Sequence, residues 1–232
     1  MKLGIIGAMD SEIASLQDAL TEVHTYEYAH MRFFDGLLLG APVVVVKCGI
    51  GKVNAALCVQ ILVDRFGVER VLNTGVAGAL SDQLEIGDIV ISTEAVQHDF
   101  DLSPIGYQKA EIPPFHLVAF PADGKMQQLA LEAANAIHEG HVFCGRICSG
   151  DQFIAGARAK SRIVEQFGGL CAEMEGASIA QACTANGIPF MILRAISDRA
   201  DDSGGISFSE FEAEAAKQCV AIVMQMVSKF QR

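Results

Sequence analysis

The sequence predicts an α/β fold: three layers, α/β/α, around a central mixed, mostly parallel sheet. Three observations predict it. Short apolar runs of strand length alternate along the chain with segments of helical period, the pattern of a sheet flanked by helices. The runs are apolar throughout rather than on alternate residues, as strands covered on both faces are. The chain has 232 residues, half of them apolar and about a fifth charged, enough to bury one large core, and residues 1–232 are read as a single domain.

Lys2 to Ile6 forms the first buried strand, and Gly7 ends it. Asp10 or Ser11 caps a helix that runs to about Leu20, with Ile13, Leu16 and Leu20 at helical spacing. Glu12 lies in its first turn. There it can complement the helix dipole or point back over the strand end as a catalytic base. Arg32 to Leu39 and Pro42 to Lys47 read as an antiparallel pair. Cys48 to Ala56, CGIGKVNAA, reads as a glycine turn opening a helix to about Phe66. It is not a P-loop, because Val46 and Val53 stand where that motif needs glycine and serine or threonine.

Arg70 to Asn73 is a further strand, followed by Thr74-Gly75-Val76-Ala77-Gly78. These small residues form either a plain tight turn or a place where a ligand nears the backbone. Gly87 to Ser92 and Ala95 to His98 continue the sheet. Residues 99–115 form the longest irregular stretch and mix proline and glycine with apolar side chains, the signature of a functional loop or an interface. Lys125 to His138 is helical, Cys144 to Ser149 a strand, and Arg158 to Phe167 a helix. In Cys171 to Asp202, Glu173 and Glu175 stand at a helix mouth. A strand from Pro189 to Ala195 then delivers Ser197 and Asp198 just past its end. Ser207 to Phe230 closes the chain as an amphipathic helix whose apolar side includes Phe208, Phe211, Ala215, Val220, Val223 and Val227.

The net charge of −11 argues against nucleic acid, whose phosphates need lysine and arginine clusters. No apolar run reaches the roughly 18 residues of a membrane span, and an acidic residue comes too early for a signal peptide. Seven scattered cysteines without a CxxC pair fit buried thiols in a reducing compartment. The expected location is the cytoplasm. No metal is expected: His138-Glu139-Gly140-His141 is one residue short of HExxH, and no Cys/His set has ligand spacing. The acidic set Glu12, Glu173, Glu175 and Asp198 flanks apolar strands at one edge of the sheet, where ligands of open α/β folds bind. Several carboxylates without a metal suit cleavage of a glycosidic bond, in which one acid protonates the leaving group and another carboxylate activates water.

The blocks Gly4–Glu12, Cys48–Ala56, Asn73–Leu80, Gly87–Ser92, Ser149–Ile154, Ala172–Ala180 and Arg194–Asp201 together resemble the bacterial 5′-methylthioadenosine/S-adenosylhomocysteine nucleosidases of the nucleoside phosphorylase superfamily. They appear in family order over nearly the whole chain. The resemblance implies a nucleoside phosphorylase-like fold, no cofactor, and adenine nucleoside thioethers plus water as partners. It implies that Asp198 protonates adenine N7, Glu12 is the base for water, and Glu175 holds the ribose hydroxyls. Arg194 would steady the carboxylates and water, and Glu173 would be structural, paired with Arg194. Phe153 and Ile154 would hold adenine, with Met174 and Ser197 beside them, and Met9, Ile50 and Phe208 would wall the alkylthio group. The family's homodimer implies that Leu102, Ile105 and Pro113 complete a neighbouring subunit's site. Two positions depart from the pattern: Val76 stands where many relatives have serine, and Ile105 where phenylalanine is common. The alternatives are a phosphorolytic purine nucleoside phosphorylase, disfavoured because Glu12 occupies the place an anion would need, and a 6-amino-6-deoxyfutalosine nucleosidase, which these motifs do not separate.

Overall fold

The computed structural model describes residues 1–201 and 204–229. Its first half comprises β1 (Leu3–Gly7), α1 (Asp10–Asp18), β2 (Leu20–Tyr28), β3 (Met31–Leu38), β4 (Ala41–Lys47), α2 (Lys52–Phe66), β5 (Arg70–Ala79) and β6 (Ile89–Gln97). A 3₁₀ turn at Ser103–Ile105 interrupts the long loop. Then follow β7 (Phe120–Pro121), α3 (Gly124–Ile137), β8 (Val142–Ser149), α4 (Ala157–Phe167), β9 (Cys171–Glu173), α5 (Gly176–Ala185), β10 (Phe190–Asp198) and α6 (Gly204–Lys229).

All ten strands join one mixed sheet in the order β10-β6-β8-β9-β5-β1-β4-β3-β2, with β7 on β6. Parallel pairs lie at its centre, where β5 runs between β1 and β10. The antiparallel hairpins β2–β3 and β3–β4 finish one edge. Because β10 also pairs with β5, the strands β10, β6, β8, β9 and β5 close into a ring. The carboxyl ends of β5 and β10 open at its mouth.

Side-chain alternation along the strands separates two apolar layers. Leu3 and Ile5 of β1, Val43 and Val45 of β4, and Met191 and Leu193 of β10 pack towards α1, α3 and α6. Ile6, Val44, Val46, Ile192 and Ile196 pack the other way, towards α2 and α5. Strands covered on both faces have no polar side, which is why their sequences read as unbroken apolar runs.

The structure corrects several boundaries. The first helix stops at Asp18, and Leu20 opens β2 instead of ending that helix. Most of β2 is an exposed edge strand, so it lacks the apolar run that marks its neighbours. Thr74 to Gly78 is not a turn: β5 continues to Ala79, held by β10 on one side and by β9 at its end. Cys171–Glu173 forms a short strand that the sequence did not mark, and Ser197 and Asp198 are the last residues of β10 rather than residues beyond it. Phe211 is exposed on α6. The expected helix end at Phe230, and Asp202 in the acidic stretch, lie outside the described residues. Among the described residues no helix is long and apolar enough to cross a membrane.

Candidate active site

Glu12 is the third residue of α1 and is buried. The short connection after β1 folds its carboxylate back over the strand end. Oε2 accepts the N–H of Ala8 at 2.6 Å and of Met9 at 3.0 Å, and Oε1 accepts the N–H of Val76 at 3.0 Å. Space for it comes from Gly75: a Cβ there would stand 2.3 Å from Glu12 Oε1. Burial pushes the Glu12 carboxyl above its ordinary value, while Arg194 and the three amides pull the other way without cancelling it. The helix-cap and catalytic-base readings of Glu12 are therefore not exclusive, since its carboxylate satisfies the helix start and also lines the hollow.

Glu175 is the N-cap of α5 and 6 % exposed. Its Oε1 accepts the N–H of Gly51 at 2.8 Å. Gly51 has φ near +101°, a left-handed conformation costly for other residues, and this is what turns the amide towards Glu175. Burial, then the neighbouring charge of Glu173, pushes the Glu175 carboxyl up to about 8. Glu173 itself caps α5: its two oxygens accept the N–H of Gly176 at 3.0 and 2.8 Å, and one accepts that of Glu175 at 3.2 Å.

At the end of β10, Asp198 Oδ1 accepts the N–H of Ala200 at 2.8 Å, and the Ser197 hydroxyl lies 3.0 Å from Oδ2. Gly78 makes room here, since a Cβ on it would meet Asp198 Oδ1 at 2.6 Å. Burial raises the Asp198 carboxyl above its ordinary value, against the pull of Ala200 N–H and Ser197. The small residues of β5 thus admit two carboxylates to the backbone.

Glu12, Glu175 and Asp198 face one hollow at the strand ends. Met9, Ile50, Val76, Phe153, Ile154, Met174, Ser197 and Phe208, each named from the sequence, also line it. The half-exposed Phe153 ring meets Phe208 edge-to-face at 5.5 Å. Gln152, Glu173 and the backbone-rich pieces Ala8, Ala77, Gly78 and Ala172 complete the wall. Glu173 is read from the sequence as structural, Ala77 and Gly78 belong to the small-residue stretch singled out there, and Ala8, Gln152 and Ala172 are chain neighbours of Met9, Phe153 and Glu173. Among the described residues that line it, none is a lysine, arginine or histidine.

Arg194 pairs with Glu173. It does not line the hollow but lies beneath it, 2 % exposed, donating to Glu173 Oε2 and Asn73 Oδ1. Burial disfavours its charge, yet Glu173, Glu12 and Glu175 together hold the guanidinium more firmly protonated than usual. Leu102, Ile105 and Pro113 sit on the long loop and do not line this chain's own hollow; Ile105 is largely exposed. Lys52 clamps two walls together. Its N–H donates to Asp151 Oδ1 at 2.8 Å, its ammonium pairs with Asp99 at 2.6 Å, and Asp99 in turn accepts the Asp151 N–H at 2.9 Å. Among the described residues no three His, Cys, Asp or Glu side chains are grouped to hold a metal ion.

Residues 2–228 match the phosphorylase superfamily. A 5′-methylthioadenosine/S-adenosylhomocysteine nucleosidase of Geobacillus sp. (strain WCH70) is 40% identical over 233 residues, covering 100% of both chains. The chain belongs to this nucleosidase family of the phosphorylase superfamily. Among solved structures, the family's nucleosidase from Neisseria meningitidis, in complex with methylthio-immucillin-A, superposes with a TM-score of 0.95 at 36% identity, covering 98% of this chain and 99% of that one. The futalosine hydrolase of Helicobacter pylori superposes with a TM-score of 0.94 at 34% identity, covering 99% and 98%. The fold is thus shared by enzymes named for different nucleosides.

Proposed function

We propose that this chain hydrolyses the N-glycosidic bond of 5′-methylthioadenosine and S-adenosylhomocysteine, releasing adenine and the 5-thio-ribose. The observation that carries this reading is the convergence of three buried carboxyls, Glu12, Glu175 and Asp198, on one hollow walled otherwise by apolar side chains.

Asp198 enters the reaction protonated, as its desolvated setting favours. It gives that proton to adenine N7, so the base leaves neutral as the bond from C1′ to N9 breaks. The Ser197 hydroxyl, 3.0 Å from Oδ2, then steadies the carboxylate left behind. Water attacks C1′, and Glu12 takes its proton. Arg194 and the three amides on Glu12 oppose the burial that raises its carboxyl, and a raised value brings a carboxylate nearer the range of an efficient base. Glu175 binds the ribose hydroxyls, with Arg194 steadying the carboxylates from beneath. Backbone of Phe153 and Ile154 holds the adenine edge beside Met174, and the Phe153 ring stacks on the base. Met9, Ile50 and Phe208 favour a thioether over a hydroxyl, which would go unpaired there. The chain acts as one catalytic domain in the cytoplasm, without a cofactor, as a homodimer in which Leu102, Ile105 and Pro113 close the neighbour's site.

Water is favoured over phosphate as the nucleophile, because a dianion in this hollow would face carboxylates with no cation on the lining. The test measures adenine release from methylthioadenosine, adenosylhomocysteine, 5′-deoxyadenosine and 6-amino-6-deoxyfutalosine, with and without phosphate. Turnover of the first two, indifferent to phosphate, supports the reading; strict dependence on phosphate overturns it. The likeness to a futalosine hydrolase gives the second reading, which aminodeoxyfutalosine turnover far above that of the thioethers would establish.

A further inference from the structure

Beneath the hollow runs a buried polar chain. On β5 and β10, Asn73 and Arg194 take their place in the alternation between residues that face α2 and α5, next to Val71 on one strand and between Ile192 and Ile196 on the other. An arginine on that apolar layer, 2 % exposed, demands partners for its donors. Asn73, 1 % exposed, supplies Oδ1 to Nη2, and its own amide donates to the Ile6 carbonyl at 3.0 Å, which fixes it against β1. The same Nη2 donates to Glu173, and Nη1 donates to the Leu193 carbonyl at 3.0 Å. Glu173 receives a further bond from the Ser149 hydroxyl, and Ser149, fully buried at the end of β8, accepts the Ala177 N–H at 2.7 Å. Glu173 then holds the amides of Glu175 and Gly176.

We infer that Asn73 and Ser149 are positioning residues: they anchor the Arg194–Glu173 ion pair at its two ends, and that fixed pair holds Glu175 and the guanidinium charge in place under the hollow. The inference rests on the function proposed above. Neither residue lines the hollow, so each acts through others. The charge so placed is shared. Glu12 from α1, Glu173 from β9 and Glu175 from the start of α5 all face the one guanidinium. The thiols of Cys48, Cys171 and Cys219 lie within its field. A guanidinium released at either end would move relative to all three carboxylates at once, and a displacement of about 1 Å in a catalytic constellation can cost about a hundredfold in rate.

The test compares Ser149→Ala and Asn73→Ala with Ser92→Ala. Ser92 is an equally buried serine that accepts the Ile192 N–H at 2.9 Å and has no part in the chain. All three should lose thermal stability. For Ser149→Ala and Asn73→Ala, kcat for adenine release from methylthioadenosine should fall about 10–100-fold with KM within about threefold. The acid limb of the pH profile should move by about half a pH unit or more, since losing a fixed guanidinium changes what Glu12 and Glu175 feel. Ser92→Ala should keep the wild-type kcat and profile. If Ser149→Ala does not fold, Ser149→Cys, which keeps the volume and weakens the bond, carries the same expectation. The inference is overturned if the two chain variants behave as Ser92→Ala does, losing stability alone. A second readout needs no substrate: the fall of melting temperature between about pH 5 and 8.5, to which Glu175 contributes, should steepen in both chain variants, because a displaced guanidinium no longer holds the Glu175 carboxyl down, and should stay as in the wild type in Ser92→Ala. Should the wild type release no adenine, the proposed function fails, and the melting profile still decides whether the chain positions Glu175.

Discussion

Replacing Glu175 by glutamine should make the protein more stable above neutral pH, even as it impairs the site. The carboxyl is 6 % exposed and sits beside Glu173, and burial and that charge carry it from its ordinary 4.5 to about 8. Between those two values the folded chain binds a proton that the unfolded chain has released. Unfolding then releases the proton, so raising the pH favours unfolding. The stability tied to this group is whole below about pH 4.5 and is lost by about pH 8. At about 1.4 kcal/mol per pH unit, the whole window amounts to ~5 kcal/mol. For a chain of this size, ~2–4 °C of melting temperature accompanies each kcal/mol, giving an upper bound of roughly 10–20 °C.

Glutamine has the shape of the protonated acid, and its oxygen can still accept the Gly51 N–H now seen at 2.8 Å. The two proteins should therefore melt nearly together around pH 5 and diverge as pH rises, the variant being higher by at least about 5 °C near pH 8.5–9. Scanning calorimetry or fluorescence melting across that range, without substrate, gives the comparison directly. Glu12 and Asp198 are raised in the same direction, so both proteins keep some slope, and the difference isolates Glu175. Parallel curves would refute the reasoning, because they would mean that Glu175 is not held desolvated against Glu173. The same geometry bears on function. A carboxylate that is costly in the empty hollow gains more from the ribose hydroxyls than a solvated one would, which links the instability to binding.

Asp198→Asn should lower kcat for adenine release by about 10²–10⁴-fold with little change in KM, because asparagine keeps the Ala200 contact but has no proton to give. The wild-type pH profile should be a bell: activity falls as pH drops through the raised value of Glu12, which must be ionised, and falls again as pH rises through that of Asp198, which must be protonated. Steady-state rates across about pH 4–10 should show the alkaline limb vanishing from the residual activity of Asp198→Asn. Gly75→Ala would set a methyl 2.3 Å from Glu12 Oε1; kcat should fall at least about a hundredfold and stability by ~1–3 kcal/mol, read by kinetics and denaturant melts. Lys52→Met removes the ion pair to Asp99 that clamps the Gly51 turn to the Asp151 segment; KM should rise about three- to tenfold with kcat nearly unchanged.

Why some of this was legible in the sequence and some was not follows from what each residue does. Strands covered on both faces, such as β1 and β4, announce themselves as apolar runs. The edge strand β2 is mostly exposed and offers neither such a run nor a clean alternation, so the sequence assigns its first residue to a helix and leaves the rest unassigned. The carboxylates were legible because each stands at an element boundary: Glu12 in a first helical turn, Glu175 at an N-cap, Asp198 at a strand end. The segment Thr74–Gly78 allows two readings, a tight turn or a ligand near the backbone, and β5 running to Ala79 excludes the turn. Glycine in a strand interior usually signals a turn or bulge, but here it marks close approach, with Gly75 under Glu12 and Gly78 under Asp198. Nothing local to β5 records which side chain fills such a space, because that side chain arrives from another element. The depth of Arg194 is not legible for a related reason: position along β10 gives a residue's face but not how far beneath the hollow it lies. Its guanidinium is drawn beneath the hollow by Asn73 and Glu173, two partners 121 and 21 residues away. Chemistry concentrated at element ends can thus be read from a single chain, whereas the buried network that sets its charge balance is written across four strands and becomes visible only when they are side by side.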